Sequence, residues 1–250
     1  MRSIVAALGD DPAAPGVVSA AVALGRLFAA DVELLSVRES GPPGAAEAAA
    51  TAAGLTLRTA QGDPYAVLSA AATREDVVAL VVAAGGTHDR GPRLAATTVR
   101  LITSVSRPVA VVPASYTATE GIARVLVPLD GTPASAAALE GIVEMASEAD
   151  VEIVLVHVLD VEHLPAFSDQ IAHEVRVWSD AFIARNAPSA PAARLELRVG
   201  RAAEGIEEAL DETGADLVVL GWSREFSDGR ATVVSELLSR SGVPVLLTPV

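Results

Sequence analysis

The sequence contains no cysteine and no lysine. Without cysteine there is no disulfide, no thiol nucleophile and no Cys-based metal site. Without lysine there is neither a Schiff base nor a Walker-type phosphate lysine; all eighteen basic residues are Arg. Aromatic residues are scarce, at 3%, so the core must be built from aliphatic side chains. No apolar run approaches the ~20 residues that span a bilayer. The opening residues, MRSIVAALGDDPAAP, pass from a short apolar stretch into Asp10 and Asp11. They read as a strand and not as an export signal, which makes the cytoplasm the default location.

Positive charge is also in short supply. The net charge is −14, and it is unevenly spread. Residues 1–120 carry nine Arg against eleven acids, whereas residues 121–250 carry nine against twenty-one. Such a surface repels nucleic acid and anionic lipid, so neither nucleic acid nor membrane is expected as a partner.

What the chain does have is a repeat. At 250 residues it is about twice a common domain length. Ser3–Leu8 matches Arg124–Leu129, and Ala30-Asp31-Val32-Glu33 recurs as Ala149-Asp150-Val151-Glu152. LTLRTAQGDP (55–64) matches LELRVGRAAE (195–204), ALVVAAG (79–85) matches DLVVLGW (216–222), and RPVAVVP (107–113) matches VPVLLTP (243–249). Matches in one order indicate a duplication. The small polar stretch 114–121 is the linker, giving domains at 1–115 and 121–250. The second half is longer mainly where residues 158–195 replace residues 37–55.

Each half alternates short apolar runs with helical patterns, which predicts a parallel sheet covered on both faces. Thr132 caps a helix that opens on Pro133 and buries Leu139, Ile142, Val143 and Ala146. A second helix places Ile171, Val175, Trp178 and Phe182 on one face, core-facing or open to a partner. Leu195, Leu197 and Val199 alternate with charged residues, so that strand is expected at a sheet edge. The fifth strands, bracketed by Pro108 and Pro113 and by Pro244 and Pro249, are apolar and hazardous if left open. Pairing them with each other resolves the hazard.

The run Val127-Pro128-Leu129-Asp130-Gly131-Thr132, with Ser135, resembles the opening of universal stress protein domains. Leu155-Val156-His157-Val158, Gly200, Ala215–Gly221 and Val243–Leu247 are similar to later pieces of the same pattern. The resemblance implies two tandem Rossmann-like α/β domains. Each would be a five-stranded parallel sheet of order 3-2-1-4-5 with helices on both faces, joined through the fifth strands as an intrachain pseudo-dimer. Self-association through the same strands as a homodimer is the further option. It also implies a cytoplasmic stress-response protein, of a kind of which many bind ATP, often without known turnover.

The family's ATP motif, Gly-x2-Gly-x9-Gly-Ser/Thr, lets backbone N–H groups meet phosphates at a helix N-terminus. Here Gly221 holds the first position, Arg224 replaces the second glycine, and Ala231-Thr232 replaces the Gly-Ser step over a shortened loop. The acid after the first strand survives as Asp130 but is Gly9 in the first half. The resemblance therefore implies a degenerate site in the second half, formed by Pro128, Asp130, Gly131, Val158, Gly221, Arg224, Arg230 and Thr232. ATP is the one cofactor implied, weakly held. The alternative is an ATP-binding module in which Arg224 and Arg230 replace the lost donors with charge.

Nothing in the pattern points to catalysis. His88, His157, His163 and His173 lack metal-ligand spacing, and the carboxylates of Glu204, Glu207, Glu208, Asp211 and Glu212 read as a solvated helix face. Asp130–Ser135 lacks the glycines of a dinucleotide turn. The expectation is a protein that is not an enzyme and holds no metal.

Overall fold

The structure is a computed structural model describing residues 1–38, 44–85, 87–88, 91–92, 94–117, 121–159, 171–225 and 229–250. The first half runs β1 (Ser3–Ala7), α1 (Ala14–Leu27), β2 (Asp31–Arg38), α2 (Ala45–Ala52), β3 (Leu57–Gln61), α3 (Pro64–Ala72) and β4 (Val77–Ala83). A two-residue hairpin, β5 (Thr87–His88) with β6 (Gly91–Pro92), then leads to α4 (Ala96–Ser104) and β7 (Val109–Val112). The second half runs β8 (Arg124–Pro128), α5 (Pro133–Glu148), β9 (Glu152–Leu159), α6 (Ile171–Asn186) and β10 (Arg194–Val199). It closes with α7 (Ala202–Thr213), β11 (Leu217–Trp222), α8 (Gly229–Arg240) and β12 (Val245–Pro249).

Within each half the strand order is the expected 3-2-1-4-5, all parallel. The two halves do not form separate sheets, however. They fuse into one ten-stranded sheet, β10-β9-β8-β11-β12-β7-β4-β1-β2-β3. The seam is antiparallel, with Val245 opposite Val111, Leu246 opposite Ala110 and Leu247 opposite Val109. Ala110 pairs with Val81 on β4, and Leu246 pairs with Val219 on β11. Ala110 and Leu246 therefore hold matching places in the two halves, and an approximate two-fold passes between them. Both are fully buried. β3 and β10 end up at the outer edges, as the charged alternation of β10 requires.

Alternate side chains of a strand point to opposite faces, so the sheet divides two cores. Ile4, Ala6, Val125 and Val127 face α1, α2, α5 and α6, while Val5, Leu126, Leu80 and Val218 face α3, α4, α7 and α8. Each core runs through both halves. Thr132 caps α5 by accepting from the Ser135 N–H, Pro133 sits in its first turn, and Leu139, Ile142, Val143 and Ala146 are buried. Phe182 on α6 is buried and Trp178 packs against the same core, so the aromatic pair faces inward and not toward a partner. The side chains of Ile171 and Val175 lie outside the described residues.

The structure corrects the internal alignment. Ser3 pairs with Asp31 and Arg124 pairs with Glu152, so the repeated Ala-Asp-Val-Glu string is displaced by two residues from true equivalence. What repeats is the turn that launches the strand. Ala29 and Asp150 both adopt left-handed φ, at 47° and 55°. The following N–H reaches back to Gly25 O in one half and to Ala146 O in the other. The third-strand match is displaced likewise: the common feature is Gly62 at φ 130° and Gly200 at φ 128°, one residue before the caps of α3 and α7.

Side chains also tie the halves beyond the seam, Trp222 the most buried of them. Trp222, at the end of β11, is 1% exposed and donates its indole N–H to Ile102 O of α4 at 2.8 Å. The last carbonyls of a helix have no partner within it, and this indole supplies one. At the amino ends of the strands, Glu33 bridges Arg58 and Arg74, and Arg74 also binds Asp76 at 2.6 Å. In the second half Arg124 binds Glu152 at 2.6 Å, and Asp216 accepts the N–H groups of Ala123 and Arg124. Among the described residues no helix is long and apolar enough to cross a membrane.

Candidate functional site

The turn after β8 is held by its own side chains. Asp130 Oδ1 accepts from Thr132 N at 2.9 Å, Thr132 Oγ1 at 2.7 Å and Ser135 Oγ at 2.5 Å. Gly131 takes φ 79°, a conformation open to glycine at little cost. His157 Nδ1 lies 2.7 Å from Leu129 O; a carbonyl only accepts, so Nδ1 carries the proton. Behind it the His157 ring packs against Phe182 and Trp178, with centroids at 4.9 and 5.8 Å. The turn therefore rests on an aromatic platform, which gives His157 a structural role.

On the other face of the sheet, at the carboxyl ends of β8, β9 and β11, lies a cavity of about 180 Å³. The strand order reverses between β8 and β11, and ligands of doubly wound sheets bind outside the strand ends at such a point. Val156, Val158, Leu220, Ile206, Val233 and Val234 make its apolar wall, from β9, β11, α7 and α8. Asp130 and Ser135 bring polar atoms to one side.

Of the residues singled out from the sequence, Pro128, Asp130, Val158 and Gly221 converge on this cavity. Gly131 looks the other way, toward His157 and Phe182. Arg224 and Thr232 are not in the lining; Thr232 is exposed in the first turn of α8, and the Arg230 side chain lies outside the described residues. Arg224 adopts φ 64°. The loop still requires a left-handed residue where the motif has its second glycine, and an arginine supplies it. Ala231, at the motif's third glycine, is buried in the core.

Sequence reasoning missed Ile206, Val233, Val234 and Val250, all of which line the cavity. Their apolar character carries no site signal in the sequence, and only the packing of α7 beside α8 shows that Ile206, Val233 and Val234 face an opening. Val250 Cγ2 would lie 3.2 Å from a Cβ at Gly221.

The first-half turn is used differently. Gly9 stands where Asp130 does, Asp10 Oδ1 accepts from Ala46 N of α2 at 3.3 Å, and Asp11 Oδ1 accepts from Ala13 N at 2.8 Å. Asp10 thus holds the start of α2, and Asp11 the turn that leads into α1. No cluster of His, Cys, Asp or Glu among the described residues is placed to hold a metal; His163 lies outside them, as do the side chains of His88 and His173.

The profile of the universal stress protein family matches residues 121–249. Among solved structures, a universal stress protein from Archaeoglobus fulgidus DSM 4304 superposes with a TM-score of 0.63 at 14% identity, over 99% of this chain and 98% of that one. A functionally unknown protein from Pseudomonas aeruginosa PAO1 gives a TM-score of 0.71 at 16% identity, over 100% of this chain and 92% of that one. These likenesses show the fold. Among curated proteins none matches the chain.

Proposed function

The chain belongs to the universal stress protein family, and from that premise we propose that it is a cytoplasmic, non-enzymatic stress-response protein whose second half keeps the pocket of an adenine-nucleotide site without its phosphate grip. In this reading residues 1–115 and 121–250 are two domains, and only the second retains a site. The observation that carries it is the contrast between the cavity and the loop beside it. Pro128, Asp130, Val158 and Gly221 still meet at the strand ends, but Arg224 stands left-handed at the second glycine and Ala231 is buried at the third.

Glycine lets a phosphate approach the backbone; a Cβ at the same place holds it off. Each lost hydrogen bond to a charged acceptor costs about 1.5–3 kcal/mol. Losing two weakens ATP binding by roughly 150-fold or more, because every 1.4 kcal/mol is tenfold.

Calorimetry with magnesium and ATP is the direct test, expected to show binding far weaker than micromolar. A dissociation constant in the low micromolar range, or ATP carried through purification, would sink the proposal. Such a result would favour an ATP-binding regulatory module in which Arg224 and Arg230 supply the missing charge.

A further inference from the structure

Resting on that reading of the cavity, but committing to what fills it, we infer that the site takes a neutral, phosphate-free ligand with a compact apolar body and a hydrogen-bond donor edge. Size comes first. At about 180 Å³ the cavity is smaller than the roughly 300–1,000 Å³ of sites for drug-sized ligands. It is sized to enclose one ring system, with anything larger left at its opening.

Charge comes second. The wall is aliphatic, and among the described residues the charged one that lines the cavity is an acid, Asp130. A carboxylate accepts hydrogen bonds and donates none when ionised, so it suits a ligand presenting N–H or O–H groups and repels an anion. Arg201, which neighbours the cavity residue Ala202 in sequence, is engaged with Glu204 at 2.7 Å and Glu236 at 3.2 Å. Arg240 of α8 is engaged with Glu207 of α7 at 3.1 Å. Among the described side chains, the cation at the N-cap position of α7 and the one in the last turn of α8 are thus already paired. A phosphate would also enter a half whose acids outnumber its arginines by twenty-one to nine.

A ligand series with one body and increasing charge tests this: adenosine, AMP and ATP, by equilibrium dialysis at low and high salt. Adenosine is expected to bind at least about tenfold tighter than ATP at low salt, with the gap closing as salt screens the repulsion. Asp130→Asn keeps an acceptor but removes the charge, and it should narrow the gap by about fivefold to tenfold. Ala202→Phe, at an exposed position of the lining, should block adenosine while circular dichroism shows the fold intact.

The inference is overturned if ATP binds as tightly as adenosine, if adenosine does not bind at millimolar concentration, or if Ala202→Phe leaves adenosine binding unchanged. Weak ATP with absent adenosine defeats this inference alone and leaves the lost phosphate grip standing. Tight ATP with still tighter adenosine does the reverse.

Discussion

Thr248 and Val112 occupy matching places in the two fifth strands, opposite Gly221 and Ala83 respectively. Val112 is fully buried and satisfied as a hydrocarbon. Thr248 is 8% exposed, and its hydroxyl has no hydrogen-bond partner among the described residues. An orphaned buried hydroxyl costs about 1–3 kcal/mol. Thr248→Val should therefore raise stability by about 1 kcal/mol, read as a higher midpoint in urea. A lower midpoint would show that the hydroxyl is engaged after all. At this scale much was legible from sequence. Asp130, Thr132 and Gly131 announce their turn because short polar side chains and glycine have few other local uses. The left-handed Arg224 was not legible, since arginine carries no such signal and only the neighbouring backbone imposes it.

Elements were legible where periodicity was strong, as in α5, and the outer position of β10 followed from its charged alternation. Register was not. An identical four-residue string marked the wrong equivalence, because strand register is set by the turn and the pairing and not by side-chain identity. A subtler repeat lies between helices. Asp63, capping α3, reaches Arg100 on α4 at 4.0 Å, and Arg201, at the N-cap position of α7, reaches Glu236 on α8 at 3.2 Å. The bridge is kept with its polarity reversed. The contact between α4 and β11 was invisible in the sequence, because nothing local marks Trp222 as a donor to a helix 120 residues away. Trp222→Phe keeps the ring and deletes the N–H. It should cost about 1–2 kcal/mol and quicken amide exchange in α4. Unchanged exchange there would show that the indole bond does not hold the helix.

At the scale of the molecule, the acidic surface is stabilised by a few arginines at the amino ends of the strands. Hydrogen bonds from Arg74 and then Ser3 hold the Asp76 carboxyl well below its ordinary value of 3.8. The hydrogen bond from Arg124 lowers Glu152 from 4.5. A depressed carboxylate stabilises the fold above its unfolded value, and that stability is lost as pH falls. Urea midpoints should therefore hold down to about pH 4.5 and decline below it, and Asp76→Asn should flatten part of the decline. Midpoints that stay level down to pH 3, on the order of a unit below both ordinary values, would contradict this. The duplication and the pairing of the proline-bracketed strands were legible from composition and order alone. Their fusion into a continuous sheet was settled by the hydrogen bonds of the seam.

That seam sets a small side chain against a large one, Ala110 against Leu246. Because a covalent tether joins its two sides, each strand meets its complement at an effective concentration that dilution cannot lower, on the order of millimolar for a short flexible link. Association of separate subunits weakens as expression falls; this junction does not. Nor need either side fit a copy of itself: Ala110 against Ala110 would leave a void, and Leu246 against Leu246 would crowd. The tether frees the two lobes from self-complementarity, so one can keep a carboxylate at its turn, where Asp130 stands, while the other gives that place to Gly9.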